Sequence, residues 1–233
     1  MLDKKLIKQR FKKNLKTYKD NCTVQNKMAE TLIEMIPKSP KSVLELGSGC
    51  GILTKKLVSK FDIESYTAVD IVEECETYIK EISPDIKFIP ADIEEYNFEE
   101  KYDLIISNAT FQWIENLPDF IEKLKQNLTD GGKIIFSSFG KENFKEIKAV
   151  TDIGLNYNSI GELKNIERIK EEILTLEFES PKEVLRHLKL TGVNSIRETH
   201  WTKSNLIEFE KQYKLLCPDK IILTYNPVYI SIT

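Results

Sequence analysis

Val43-Leu44-Glu45-Leu46-Gly47-Ser48-Gly49-Cys50-Gly51 is the stretch from which the rest of the 233-residue chain can be read. Four residues of apolar bias run into three glycines spaced two apart, and Ile52-Leu53-Thr54-Lys55-Lys56-Leu57-Val58 follows with helical periodicity. That order predicts a buried strand, a tight turn and a helix. Glycine suits the turn because it accepts positive φ and lets a ligand approach the backbone with no Cβ between them.

The spacing differs from the dinucleotide fingerprint G-x-G-x-x-G. The third glycine comes one residue early, and Glu45 stands two places before the first. The stretch resembles motif I of class I S-adenosylmethionine-dependent methyltransferases. The resemblance implies a Rossmann-like α/β fold with a mostly parallel seven-stranded sheet, an N-terminal helical lid and a helical insertion near the C-terminus. It also implies that Glu45, Gly47, Ser48, Gly49 and Gly51 contact S-adenosyl-L-methionine. A carboxylate suits a loop that faces a cationic sulfonium; beside a pyrophosphate it would be repelled.

Length and composition fit one domain. Hydrophobic residues make up 41% and charged residues 30% of the chain, the balance of a soluble globular protein. We expect a single unit, 1–233, with a lid (1–37), a cofactor-binding core (42–138) and a substrate-side part with the final strands (139–233). No apolar run is long enough to span a bilayer, and the start lacks a signal-peptide core, so a cytoplasmic location is expected. Cys22, Cys50, Cys75 and Cys217 are scattered with no C-x-x-C pair, and the two histidines, His187 and His200, have no ligand spacing. Neither a disulfide framework nor a metal site is expected. The net charge of −3 gives no global field for nucleic acid, but residues 1–20 carry eight basic against two acidic side chains. That segment is either a solvated helix face or a docking surface for an acidic partner.

In chain order, residues 3–20 carry a near-helical apolar stripe at Leu6, Ile7, Phe11, Leu15 and Tyr18, and Val24–Ile36 predicts a second helix ended by Pro37. Two helices ahead of the first strand would cover the open edge of a cofactor site. Ser65–Asp70 predicts the second strand, and Asp70, 19 residues after Gly51, stands at its tip, where a carboxylate accepts ribose hydroxyls. Ile71 follows it along the cofactor. A helix over Glu73–Ile82 and a strand over Ile86–Ile89 lead to Asp92 and Ile93. There the motif resemblance implies an acceptor for the adenine amino group and a flank for the ring.

Tyr102–Ser107 predicts the central fourth strand, and Ser107-Asn108-Ala109-Thr110-Phe111-Gln112-Trp113 the loop that faces the transferred methyl. Leu117–Leu128 predicts a helix, Asp130-Gly131-Gly132 a turn, and Lys133–Ser137 the fifth strand. Beyond it, helices are expected over Asn143–Val150, Ile160–Lys170, Ser180–Leu190 and Ser204–Leu216. A strand is expected over Glu172–Phe178, and a strand or hairpin broken at Asn226-Pro227 over Ile221–Thr233.

Several of these stretches resemble one family, the malonyl-acyl-carrier-protein O-methyltransferases that open biotin synthesis. Arg10-Phe11 with Thr17-Tyr18 is similar to the lid helix, and Gln25 to a glutamine just after it. Ser107–Trp113 is similar to an S-N-x-x-x-Q-W segment. Ser180-Pro181 with Leu185–Lys189 and Thr191–Asn194 resembles an R-H-L-K-x-x-G-x-N block, and Leu223–Tyr229 the terminal strand. Ser137–Asn143 departs from the family's more glycine- and threonine-rich loop. The resemblance implies methyl transfer to the free carboxylate of a malonyl thioester on acyl carrier protein, by a monomer that binds neither nucleic acid nor membrane. It assigns Tyr18, Asn108 and Trp113 to the reacting centre, with Tyr18, Gln25 and Asn108 also on the cofactor. Arg186, Gln112 and Trp113 go to the substrate, and S-adenosyl-L-homocysteine is the product. Methylation of another small carboxylate, or a cofactor-binding assembly factor, are the alternatives; the glycine spacing speaks against a nicotinamide oxidoreductase.

Overall fold

The computed structural model describes residues 3–151, 162–191 and 202–233. Among them, helices α1 (Lys4–Asn21) and α2 (Thr23–Met35) precede β1 (Ser42–Leu46), α3 (Ile52–Lys60), β2 (Ser65–Asp70), α4 (Cys75–Ile82) and β3 (Lys87–Pro90). Then come β4 (Tyr102–Ser107), a single 3-10 turn (Phe111–Trp113), α5 (Leu117–Lys125), β5 (Leu128–Phe139) and α6 (Lys145–Thr151). The remainder is β6 (Ile166–Glu171), β7 (Leu174–Phe178), α7 (Pro181–Leu190), α8 (Lys203–Leu216), β8 (Ile221–Tyr225) and β9 (Pro227–Ile232).

Seven strands form one sheet in the order β3-β2-β1-β4-β5-β9-β6, with β1 to β5 parallel and β9 antiparallel to both its neighbours. This is the α/β architecture expected from the sequence. The chain leaves β1 towards one edge and returns to β4 on its other side, so the carboxyl ends of β1 and β4 part and open a crevice. Successive residues of a strand point to opposite faces, and each buried strand therefore feeds two cores. Val43, Ile106, Ile135 and Tyr229 join one with α2 and α3, while Leu44, Ile105, Ile134 and Ile230 join another with α5. The expected start of α7 is also present: Pro181 opens it, and the Ser180 side chain accepts from the Glu183 N–H. No helix among the described residues is long and apolar enough to cross a membrane.

Three expectations change. Ile166–Lys170 lies in a strand and not in the helix expected over Ile160–Lys170, of which residues 160 and 161 lie outside the described residues. Its charged side chains favour a helix locally, but β9 offers it a row of backbone partners, and tertiary pairing prevails over propensity. The glycines at 131 and 132 do not turn the chain. They sit within β5 at a shift of its register on β4, with Gly131 at φ +78°. Finally, Ile221–Thr233 is no hairpin: β8 pairs only with β7 in a separate two-stranded sheet, while β9 enters the main sheet.

Asn226, fully buried, is the joint between those two sheets. Its amide nitrogen donates to Glu171 Oε1 at 2.9 Å and to the Glu172 carbonyl at 3.0 Å, and its Oδ1 accepts from the Glu142 N–H at 3.1 Å. Its backbone N–H donates to Asn143 Oδ1 and its carbonyl accepts from the Gly140 N–H. Replacing Asn226 with alanine removes three side-chain hydrogen bonds, those to Glu171 Oε1, the Glu172 carbonyl and the Glu142 N–H. We expect a loss of roughly 3 kcal/mol of stability, read by chemical denaturation, with the denaturant dependence unchanged.

Candidate functional site

The glycine loop hangs from the end of the neighbouring strand, where the N–H groups of Gly47 and Ser48 both donate to the Val69 carbonyl. Gly47, Gly49 and Gly51 lie at φ +76°, +52° and +78°. Space is tight at two of them. A Cβ on Gly47 would lie 2.1 Å from Thr110 Oγ1, and one on Gly51 2.3 Å from Ile82 Cδ1. Gly49 has nothing within 4 Å on that side, so the loop is open there.

A cleft runs in front of this opening along the carboxyl ends of the parallel strands, roofed by Ile7, Phe11, Leu15 and Tyr18 of α1. The helix therefore spends its apolar stripe on the cleft. Ion pairs hold it down: Lys4 lies 2.7 Å from both Asp92 and Glu94, and Lys12 pairs with Glu74. Glu45, Asp70, Asp92 and Glu94 line the cleft against a single lysine, Lys4. Such a lining attracts a cationic ligand and repels a phosphate.

Of the expected cofactor residues, all but Gly51 and Gln25 line the cleft. Asp70 is nearly buried; its Oδ2 accepts from the Gly49 N–H and its Oδ1 from the Val72 N–H, both at 2.8 Å. Burial raises its pKa, while those donors favour the charged form. Ser48, Gly49, Ile71 and Ile93 line the cleft, as does Tyr18, whose pKa burial pushes well up. Asp92 is engaged by the lid through Lys4 and by the Glu94 N–H. Glu45 is 1% exposed, and its Oε2 accepts from both Thr54 Oγ1 and the Tyr66 hydroxyl at 2.5 Å. Burial pushes its pKa up to about 7 against those two donors.

Other expected residues are placed differently. Gly51 caps α3 and packs against α4, away from the cleft. Arg186 is exposed on α7 and lines neither the cleft nor the recess beside it. Asn108 reaches the cleft, but its side chain braces the protein: Nδ2 donates to the Gln25 carbonyl at 3.0 Å, and Oδ1 accepts from Ser137 Oγ at 2.7 Å. Gln25 and Gln112 line the small recess behind the cleft, and Trp113 stands between the two spaces. Gly192 and Asn194 of the R-H-L-K-x-x-G-x-N block lie outside the described residues.

Sequence reasoning assigned no site role to Lys4, Phe11 or Ser137. Phe11 shares the stripe of Tyr18, one signal that could have found it, and its ring meets both Tyr18 and Trp113 edge-on at 6.3 and 6.1 Å. The partner of Lys4 is 88 residues away, and no local pattern reports it.

The donor set fits S-adenosyl-L-methionine. Ser48 Oγ is buried and unpartnered beside the open face of Gly49, and carboxylates surround the space. Among the described residues, no group of three or more metal-ligating side chains is placed to hold an ion.

Comparison with known proteins agrees with this geometry. A family model described as a methyltransferase domain matches residues 21–198. The chain is 37% identical to the malonyl-[acyl-carrier protein] O-methyltransferase of Chlorobium luteolum, over 98% of this chain and 95% of that protein. The protein of the same name from Calditerrivibrio nitroreducens is also 37% identical, with 97% and 95% covered, and that of Acinetobacter baylyi 33%, with 98% and 96%. Among solved structures, the YcgJ protein of Bacillus subtilis superposes with a TM-score of 0.59 at 11% identity, covering 88% of this chain and 96% of that one. Coclaurine N-methyltransferase superposes at 0.53 and 17%, covering 90% and 70%. These two show a shared fold.

Glu45 makes the fold pH-dependent in a known direction. Its pKa is raised in the folded state, so its contribution is fully present below about pH 4.5 and is withdrawn as pH rises through about 7. Relative to Glu45→Gln, the wild type should lose roughly 3 kcal/mol between pH 4.5 and pH 8. Paired thermal melts across that range check it; a constant gap would mean that Glu45 does not titrate there.

Proposed function

Because the chain belongs to the malonyl-[acyl-carrier protein] O-methyltransferase family of methyltransferase-domain proteins, we propose that it methylates the free carboxylate of a malonyl thioester on an acyl carrier protein. The identity of 37% over nearly the whole chain carries this reading. The methyl ester formed would open pimeloyl synthesis for biotin, as the resemblance implies.

S-adenosyl-L-methionine supplies a methyl group on a sulfonium that is its own leaving group. Asp70 takes the ribose hydroxyls and Asp92, on release of Lys4, the adenine amino group. Ser48 and the open face of Gly49 receive the amino-acid end, and Ile71 and Ile93 flank the rest. A carboxylate with an ordinary pKa of roughly 4 is ionised at neutral pH, so the acceptor needs no general base. What the protein contributes is alignment and the exclusion of water, effects worth about 7–11 kcal/mol in well-ordered reactions. The α1 stripe excludes water, Tyr18 closes over the reacting side, and the Asn108 brace fixes the β4 loop against α2 and β5.

Docking would use the cations that remain outward. Lys5, Lys13, Lys16 and Lys19 are exposed on α1, and Lys182, Arg186 and Lys189 on α7. The two helices are joined where Thr17 Oγ1 donates to the Leu190 carbonyl at 3.3 Å. A basic face beside the cleft suits transient pairing with an acidic protein. Arg186 thus moves from gripping the malonyl group to the docking face.

Intact-mass spectrometry of malonyl-acyl carrier protein incubated with the protein and S-adenosyl-L-methionine tests the reaction. One esterase-sensitive methyl is expected, at a rate that falls with added salt; acetyl-acyl carrier protein should remain unmodified. Methylation of malonyl-coenzyme A at the same rate would remove the docking role, and no methylation would move the reading to another acceptor. Tyr18→Phe should lower turnover about tenfold while cofactor affinity by calorimetry stays within about twofold.

A further inference from the structure

Behind the cleft lies a recess walled by Gln25 of α2, Gln112 and Trp113 of the β4 loop, and Asn143, Phe144 and Thr191. Phe11, Tyr18, Ala109 and Trp113 line both spaces, so they form the partition between them. Three polar atoms here are buried without a partner: Gln25 Oε1, Gln112 Oε1 and Trp113 Nε1. Their residues are 3%, 8% and 8% exposed. Buried polar groups are nearly always paired, so orphans gathered around one small space mark a place where a polar ligand group would find partners. The other polar walls are already committed. Thr191 Oγ1 donates to the His187 carbonyl, and Asn143 Oδ1 accepts from the Asn226 N–H.

We propose that this recess seats the acceptor's carboxylate, and that it does so with neutral donors: the indole N–H of Trp113 and the side-chain amide of Gln25. The proposal rests on the carboxylate-methylating reading above and names the subsite it lacked. An indole nitrogen only donates, so Trp113 meets an anion's lone pairs. Gln25 Oε1 has no partner among the described residues, and a half-turn of the amide presents N–H in its place. Gln112 is different. Its Nε2 donates to the Ala109 carbonyl at 2.6 Å, which fixes its Oε1 as an acceptor. That oxygen repels an anion, which leaves Trp113 and Gln25 as the groups that can receive the carboxylate.

Among the described residues, no lysine or arginine lines the recess. Neutral donors have a chemical use here. The reacting oxygen gives a lone pair to the methyl carbon as the carbon–sulfur bond breaks and its electron pair returns to sulfur; no proton moves. A full positive charge on the carboxylate would hold that lone pair back, whereas two neutral hydrogen bonds orient it and leave it nucleophilic.

The test uses the full chain with a malonyl thioester of N-acetylcysteamine, which bypasses protein docking. Trp113→Phe and Gln25→Leu should each raise KM for this acceptor at least tenfold, with the affinity for S-adenosyl-L-methionine by calorimetry within twofold of wild type. Gln25→Asn should recover part of the loss. A binding readout stands apart from turnover: Trp201→Phe leaves Trp113 as the one tryptophan, and its emission should change on adding the malonyl thioester with S-adenosyl-L-homocysteine present, but not on adding the acetyl thioester. Unchanged KM in both variants, or emission indifferent to the malonyl thioester, would overturn the proposal. Failure of the wild type to methylate any malonyl thioester would instead sink the reaction assigned above, while the emission response would still decide the recess.

Discussion

Gly47 and Thr110 stand so close that even a methyl group on the glycine would collide with the threonine hydroxyl. The contact joins the loop after β1 to the loop after β4, the two strands whose ends part at the switch in strand order. One loop faces the space read as the cofactor's and the other carries Asn108, Gln112 and Trp113. With no slack between them, the spacing of the two loops is set by the sheet itself. For a reaction that moves no proton, such fixed spacing is what the fold can contribute most directly. Asn108 extends the same restraint outward, tying the β4 loop to α2 and to Ser137 of β5.

Above this rigid floor sits an element held by different forces. The stripe of α1 faces the cleft, and polar contacts fasten its ends and middle: Lys4 to Asp92 and Glu94, Lys12 to Glu74, and Thr17 to the end of α7. Half-exposed ion pairs are individually worth little, typically up to about 1 kcal/mol. Beside them, Leu15 packs with Cys50, Val72 and Cys75, so apolar contact as well as charge holds α1 over the cleft. Asp92 links lid and ligand, because the carboxylate assigned to adenine is the one that Lys4 occupies here.

The central β-α-β pattern was legible because each signal there is local. Tyr102–Ser107 has the bounds expected of it, and the glycine spacing announced its turn. Ile166–Glu171 misled because its side chains speak for a helix while its backbone answers to β9, more than fifty residues later. The site divides in the same way. Asp70 and Ser48 line the cleft, as their places beside strand ends suggest, whereas the R-H-L-K block does not say which way a helical side chain points, and Arg186 is exposed on α7. Gln25, expected at the cofactor, lines the recess, a space made by five separate segments, and one segment cannot report it. The Lys4 latch joins residues with nothing between them in sequence to suggest a bond.

The place of β9 bears on how the molecule is made. It lies between β5 and β6, yet it is the last strand of the sheet in chain order. Synthesis from the N-terminus therefore leaves two facing strand edges unpaired until every other strand has been laid down. Such edges are templates for pairing with foreign chains. Asn226 at the entrance to β9 locks the final insertion, so a nascent chain would pass through a window in which its active-site half is built while its sheet still gapes, a natural point for chaperones to act.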